Sequence, residues 1–295
     1  MKRIAGATLA LAVLLPVGIS GIAAGQDKSG PRMPPKVLVA LREYTKPGKS
    51  GMQHDKTESL FVQAMMRAKW PIHYLAMESL SGKSRALFFT GYESFEAWEK
   101  DTRAVEKNPG LLAALDHAGE VDGDLLSETD GSVLAFREEY SLRPEVDIAH
   151  MRYFEISAWQ VKQGHDKDWD ELVKLVTEAY KKIPDSHWAT YSSVYGNPDN
   201  TYIVFNPMKS LAEVDKNFAA NKDFEAAMGE EGMKKLNELS ARAIESSGAN
   251  LFAINPRMSY PADGWVKADP EFWKPKPAAP SAESKKPADK ADKSH

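Results

Sequence analysis

The chain of 295 residues contains no cysteine. Disulfide bonds, thiolate metal ligands and a cysteine nucleophile are therefore excluded, and the folded part must be held together by its core. Acidic residues outnumber basic ones, 42 to 38, and no basic stretch with interleaved aromatic residues occurs. We therefore predict no nucleic-acid partner.

Several catalytic and binding motifs are also missing. No GxSxG elbow follows residue 25, so the usual serine hydrolase signal is absent. Gly82-Lys83-Ser84 is similar to the end of a phosphate-binding loop, but Met77 stands where that loop requires its first glycine. His165, Asp166 and Asp170 show no recognisable metal-ligand spacing, so we predict no metal site.

The N-terminus has the pattern of a secretory signal peptide over residues 1–25. Lys2 and Arg3 precede an apolar run over 4–17, and Ala23-Ala24-Gly25 offers small residues for cleavage before Gln26. The run is shorter than the roughly 20 residues that cross a bilayer. We expect a secreted or periplasmic protein with no transmembrane anchor after cleavage, and a linker over 26–35.

An internal repeat organises the rest of the chain. His54-Asp55-Lys56 recurs 111 residues later as His165-Asp166-Lys167, and His73-Tyr74 recurs as His187-Trp188. Repeats in the same order at nearly constant spacing indicate two copies of one structural unit. We place the first unit at 36–143 and the second at 150–260.

Alternating apolar residues predict four strands in each unit, and apolar spacing of three and four residues predicts the helices between them. The predicted strands cover 36–44, 72–80, 85–92 and 133–140 in the first unit, and 153–161, 188–195, 201–205 and 250–254 in the second. Ser94 is the predicted N-cap of a helix in the first unit. The order β-α-β-β-α-β predicts an α+β fold of tandem ferredoxin-like units.

The strand, glycine turn (160–165), amphipathic helix and capped second helix resemble the dimeric α+β barrel superfamily. Its members include antibiotic-biosynthesis monooxygenase-like, NIPSNAP-like and EthD-like domains and, in fused two-unit form, chlorite dismutases. The resemblance covers about 36–260 and matches no motif specific to one activity. It implies that the two sheets pack into one barrel within this chain.

Sheet faces determine where a site would lie. We expect Val39 and Leu41, with Phe154 and Ile156, to lie under the helices, because that face should be the more apolar. The opposite faces then present polar and aromatic side chains, which would either bind a small ligand or fill the interface between the units. The candidate ligand-binding residues are Arg42, Tyr44, His73, Glu155, Trp159, His187 and Tyr191.

The preferred hypothesis is an exported module, non-catalytic or of uncharacterised activity, that binds a small aromatic molecule between the sheet faces. Alternatives are a cofactor-independent monooxygenase-like or haem-dependent enzyme, which the resemblance suggests, and a protein-interaction module of the cell envelope. No cofactor is predicted, because no motif identifies a histidine that would ligate a haem iron. Haem and a metal ion are kept as alternatives. The protein would be a monomer or a homodimer.

The composition changes after residue 260. Trp265 and Trp273 lie in a stretch that we expect to form an extended strap across the folded units. The remainder is rich in lysine, proline and alanine, and it has too few apolar side chains to form a core. We therefore predict an unfolded tail at the end of the region 261–295.

Overall fold

A computed structural model of the protein describes residues 30–274. The predicted signal peptide, the start of the linker and the tail from residue 275 lie outside the described residues. Within residues 30–274, no helix combines the length and hydropathy needed to span a bilayer.

Eight strands alternate with helices in the predicted order. The strands are β1 (Val37–Thr45), β2 (Tyr74–Ser79), β3 (Arg85–Tyr92), β4 (Leu126–Phe136), β5 (Tyr153–Val161), β6 (Ala189–Tyr195), β7 (Thr201–Met208) and β8 (Ile244–Ile254). The helices are α1 (Met52–Ala68), α2 (Phe95–Glu106), α3 (Pro109–Gly123), α4 (Asp166–Tyr180), α5 (Ala212–Ala219), α6 (Asn221–Ala243), α7 (Asp263–Ala268) and α8 (Pro270–Trp273).

Local sequence explains where two of the helices begin. The Ser94 hydroxyl accepts a hydrogen bond from the Ala97 amide at 3.1 Å, which confirms the predicted N-cap of α2. The Asn108 side chain caps α3 in the same way by accepting from the Leu111 amide. Each cap satisfies an amide that the first helical turn would otherwise leave without a partner.

The strands form one closed antiparallel barrel in the order β1-β3-β2-β8-β5-β7-β6-β4. Each unit contributes a four-stranded ferredoxin-like sheet, β4-β1-β3-β2 or β8-β5-β7-β6. Pairing of β2 with β8 and of β4 with β6 joins the two sheets. The predicted tandem arrangement is confirmed: the barrel closes within one chain.

The barrel interior is the largest apolar core. All eight strands contribute buried side chains to it: Leu38, Ala40, Leu75, Met77, Leu87, Phe89, Leu134, Phe154, Ala189, Tyr191, Phe205, Phe252 and Ile254. Aromatic edges meet at the centre, where Phe205 contacts Phe89 and Tyr191 with ring centroids 5.3 and 5.5 Å apart. The space between the sheet faces, where the sequence analysis places the ligand, is therefore filled by side chains.

The predicted orientation of β5 is wrong. Phe154 and Ile156 pack in the barrel interior, and Glu155 and Trp159 face the helices instead. Val39 is on the expected side, packed under α2. The interior of a closed barrel is sealed on every side and takes the most apolar residues, whereas the layer under the helices tolerates polar ones.

The largest boundary differences from the predictions are at the starts of two strands. β4 begins at Leu126 and β8 at Ile244, each several residues earlier than expected, because exposed polar residues extend the pairing with β1 and β5. The residues expected to form an extended strap form α7 and α8. Trp273 on α8 is 3% exposed and donates its indole N–H to the Ala149 carbonyl at 2.9 Å, so the C-terminal helices close onto the barrel core.

Replacing Phe205 by alanine tests whether the barrel interior holds the two units together. We expect a loss of about 3–5 kcal/mol in the free energy of unfolding, because the cavity left by a buried aromatic ring cannot collapse. Chemical denaturation of Phe205→Ala and of the exposed control Met66→Ala, which is 62% exposed, measures it. The control should change stability by less than about 0.5 kcal/mol. A similar small loss in both variants would contradict this view of the core.

Candidate functional site

A cavity of about 1200 Å³ lies between the sheet of the second unit and its helices. Side chains from β5, β6 and β7 form its floor, α4 forms one wall, and α5 and α6 cover it. No residue of α5 is buried, so this helix covers the cavity without being packed into a core. The cavity is larger than the usual range for small-molecule sites, about 300–1,000 Å³.

A break in α6 contributes to this shape. Gly229 has φ 68° and ψ 171°, a backbone conformation that interrupts the helix and that glycine adopts readily. The segment after the break places Leu239 and Ala243 in the core on the sheet. The segment before it places Phe224 against Tyr180 at the cavity, with ring centroids 4.7 Å apart.

Several aromatic rings contribute to the cavity wall. Trp169 stacks on Tyr202 with centroids 4.9 Å apart, and Trp159 packs beside Trp169. Tyr180 meets the edge of Trp188 at 5.4 Å. Such walls favour flat, apolar molecules, because stacked or edge-on ring contacts add to the burial of apolar area.

Two buried polar atoms in this wall lack a hydrogen-bond partner among the described residues. They are Nε1 of Trp169 and Oγ1 of Thr177, both on α4. Burying such groups unpaired is costly, and most buried polar groups in folded proteins are paired. A ligand that presents one hydrogen-bond acceptor to each atom would satisfy both.

Glu155 supplies a carboxylate to the cavity floor. It lies in the middle of β5, opposite Asn206 of β7 in the register of the sheet. Burial raises the pKa of Tyr180, and the nearby charge of Glu155 raises it further. The Glu155 carboxylate is therefore close to the aromatic wall.

The structure separates the seven predicted ligand residues. Glu155, Trp159 and His187 line the cavity of the second unit. The other four lie elsewhere: Tyr191 is in the barrel interior and donates to the Pro35 carbonyl, Arg42 pairs with Asp130, Tyr44 contacts Lys83, and His73 stacks on Tyr260.

The cavity residues do not fit haem bound through an interior histidine. Both ring nitrogens of His187 lie 2.8 Å from backbone carbonyls, those of Asp185 and Pro207. His150, the other lining histidine, has a 46% exposed side chain paired with Asp147 at the rim.

Sequence reasoning missed Trp169, Thr177 and Tyr180 as cavity residues. Trp169 and Tyr180 lie on the apolar stripe of α4, and an apolar stripe in the sequence does not show whether it faces a packed core or a cavity. The sequence signal that could have indicated the cavity was Thr177, because its hydroxyl group lies beside the apolar stripe of α4.

Comparison with known proteins gives a likeness of fold. No protein-family model and no curated protein matches the chain. A monooxygenase-like protein from Fusobacterium nucleatum is 11% identical with a TM-score of 0.49, covering 76% of this chain and 94% of that one.

Two further solved structures are similar to this chain. A chlorite dismutase variant from Candidatus Nitrospira defluvii is 11% identical with a TM-score of 0.45, covering 76% of this chain and 92% of its own. A haem-binding protein from Thermus thermophilus is 13% identical with a TM-score of 0.44, covering 78% and 94%.

Valine replacements of two buried threonines test whether the cavity wall contains an unpaired hydroxyl. Thr177→Val should stabilise the ligand-free protein by up to about 1 kcal/mol, because it removes a buried group without a partner. Thr190→Val is the matched control, since Thr190 is 2% exposed and donates to the Tyr140 carbonyl at 2.9 Å. It should cost about 1 kcal/mol. Urea denaturation measures both, and equal losses would show that Thr177 is already paired.

The chain thus folds as a closed antiparallel α+β barrel whose two ferredoxin-like units come from one polypeptide, with a cavity of about 1200 Å³ under the helices of the second unit.

Proposed function

We propose that the second unit binds a small, largely aromatic molecule carrying hydrogen-bond acceptors, in the cavity between its sheet and its helices. The observation that carries this proposal is the pair of buried, unpaired polar atoms of Trp169 and Thr177 in an aromatic wall. The ligand class is the one predicted from the sequence, but the proposed binding site is under the helices instead of between the sheet faces.

The spacing of the two groups indicates the length of the ligand. Trp169 and Thr177 are eight residues apart on α4, which corresponds to about 12 Å along a helix axis. One molecule that bonds to both is therefore elongated, of the size of a fused system of several rings. The cavity volume accommodates such a molecule.

The cover of the cavity provides a way in. Phe218 on α5 is 71% exposed although it lines the cavity, and no residue of α5 is buried. Displacing α5 would therefore cost little apolar burial. We propose that ligand enters beneath this helix.

Filling the cavity should abolish binding. Val176 lies on α4 and lines the cavity, so Val176→Trp would occupy the space of the ligand. Titration with anilinonaphthalene sulfonate, an aromatic probe with acceptor oxygens, should show one site in the natural protein and at least tenfold weaker binding in the variant.

The matched control is Leu112→Trp, which adds the same side chain at a 38% exposed position on α3. This control should bind the probe like the natural protein. Equal binding by Val176→Trp would place the probe outside the cavity and contradict the proposal.

A second candidate function is a cofactor-independent oxygenation in the same cavity. The observation that favours it is Glu155, a carboxylate beside the aromatic wall. Removal of a proton from a bound hydroxylated aromatic compound by Glu155 would make the ring electron-rich enough to be oxidised by dioxygen. A positioned general base of this kind typically contributes about 10²–10⁴-fold to a rate.

Oxygen consumption with hydroxylated polycyclic aromatic compounds tests the enzyme proposal. Glu155→Gln should lower turnover at least about 100-fold while leaving probe binding within a few-fold, because only the proton acceptor is lost. Glu145→Gln changes an exposed carboxylate at the rim and should leave turnover unchanged. Binding without oxygen consumption by the natural protein would leave the binding function and reject the enzyme.

We also propose that the protein acts outside the cytoplasm, on the strength of the signal-peptide pattern in residues 1–25.

The hypothesis of an interaction module stays a prediction. The surface that suits it best contains Phe95 and Tyr195, which are 43% and 63% exposed and have ring centroids 6.4 Å apart.

A further inference from the structure

Four titratable side chains meet beneath the helices of the first unit, away from the cavity. Glu43 comes from β1, His54 and Glu58 come from α1, and Asp122 comes from α3. One ligand atom from each lies within 4.8 Å of the others. All four residues are buried, with exposed fractions between 1% and 6%.

Three carboxylates surround one imidazole nitrogen. Nε2 of His54 lies 3.2 Å from Glu43 Oε2, 3.5 Å from Asp122 Oδ1 and 4.0 Å from Glu58 Oε1. Only the first of these distances is that of a good hydrogen bond. One nitrogen and three oxygens from three different elements converge on a common centre, as the ligands of a bound cation do.

The cluster carries more negative than positive charge. Three carboxylates face one histidine, and no lysine or arginine among the described residues forms an ion pair with any of the four. Without a cation, protons must offset the buried charge.

Polar atoms around this centre lack hydrogen-bond partners among the described residues. They are Oε1 of Glu58 and Oδ2 of Asp122. Unpaired, fully buried carboxylate oxygens are the atoms that a cation would bind.

The second unit shows that the fold does not require these charges. The 111-residue offset that relates His54 to His165 relates Glu58 to Trp169. The equivalent bulges at the ends of β1 and β5 relate Glu43 to Trp159. Trp159 and Trp169 pack together with centroids 6.2 Å apart, so apolar side chains fill this position without difficulty.

A buried ionic cluster is seldom the most stable solution for a position that apolar residues also fill. Its presence in one unit alone therefore calls for a ligand. We propose that Glu43, His54, Glu58 and Asp122 bind one divalent transition-metal cation, of the Mn²⁺ or Zn²⁺ class, through one imidazole nitrogen and three carboxylate oxygens. The cation ties β1, α1 and α3 together, and it has a structural role because the site is closed to solvent.

The neighbouring polar groups suit this role. The Thr57 hydroxyl donates to Asp122 Oδ1, which orients that carboxylate. Asn255 donates to Asp55, the neighbour of His54 in the chain, and to Glu78. Such outer contacts fix the orientation of metal ligands.

Metal binding by the full chain tests the proposal. After treatment with a chelator and dialysis, calorimetric titration with Mn²⁺ and with Zn²⁺ should show one equivalent bound, and the metal should raise the unfolding temperature. Co²⁺ should give visible absorption bands of a protein-bound ion. The absence of any stoichiometric metal in these measurements would overturn the proposal and leave a proton-sharing cluster.

Matched histidine variants locate the site. His54→Asn should weaken binding at least 100-fold, whereas His165→Asn, at the repeat-equivalent position, should bind like the natural protein. The side chain of His165 is 39% exposed and pairs with Asp168 at 2.8 Å, so its loss leaves the cluster intact.

Circular dichroism checks that each variant is folded. Should His54→Asn fail to fold, the nearly isosteric Glu58→Gln provides the same comparison, because it removes a ligand charge and keeps the volume. Metal binding of natural strength in a folded variant of either residue would place the metal elsewhere and overturn the proposal.

Discussion

The structure depends on the pairing of strand edges between its two units. A four-stranded ferredoxin-like sheet has two edge strands with unpaired backbone groups, and exposed edges of this kind favour aggregation. The β2–β8 and β4–β6 pairs remove all four edges within one chain. The pairing of β4 with β6 leaves little space beside the backbone. Gly196 has φ 84°, and a Cβ added there would lie 2.1 Å from the Gly131 carbonyl oxygen. Only glycine therefore fits at this position.

Closure of the barrel determines where ligands can bind. Once the two inner faces meet, large apolar side chains fill the space between them, and this core supplies stability to both units. The layers between sheet and helices are then free to differ. The first unit buries a charged cluster there, and the second encloses an aromatic cavity at the equivalent layer. Two functions can therefore diverge on one duplicated fold without competing for the same core.

Much of the fold could be predicted from the sequence, because the signals for it are local. The strands at 85–92 and 153–161 agree with β3 and β5 to the residue, and Ser94 caps α2 as predicted. The face of β5 could not be predicted in this way. Alternation separates Phe154 from Glu155, but it does not show which side meets the other sheet, since both sides of a barrel strand are covered. Which face of β5 meets the other sheet depends on the pairing of strands that lie about 100 residues apart in the chain.

Sites are harder to predict because their members come from distant elements. The sequence predicted Glu155 and Trp159 as polar and aromatic residues of a strand, and His187 as a residue at the beginning of another. Asp122, in contrast, joins His54 only through the packing of α3 on α1. Two local signals were available: the i, i+4 spacing of His54 and Glu58, and a glutamate inside the apolar strand β1. Each alone is common on protein surfaces. A duplicated chain offers a stronger signal, because a position that is charged in one copy and tryptophan in the other cannot be explained by the requirements of the shared fold.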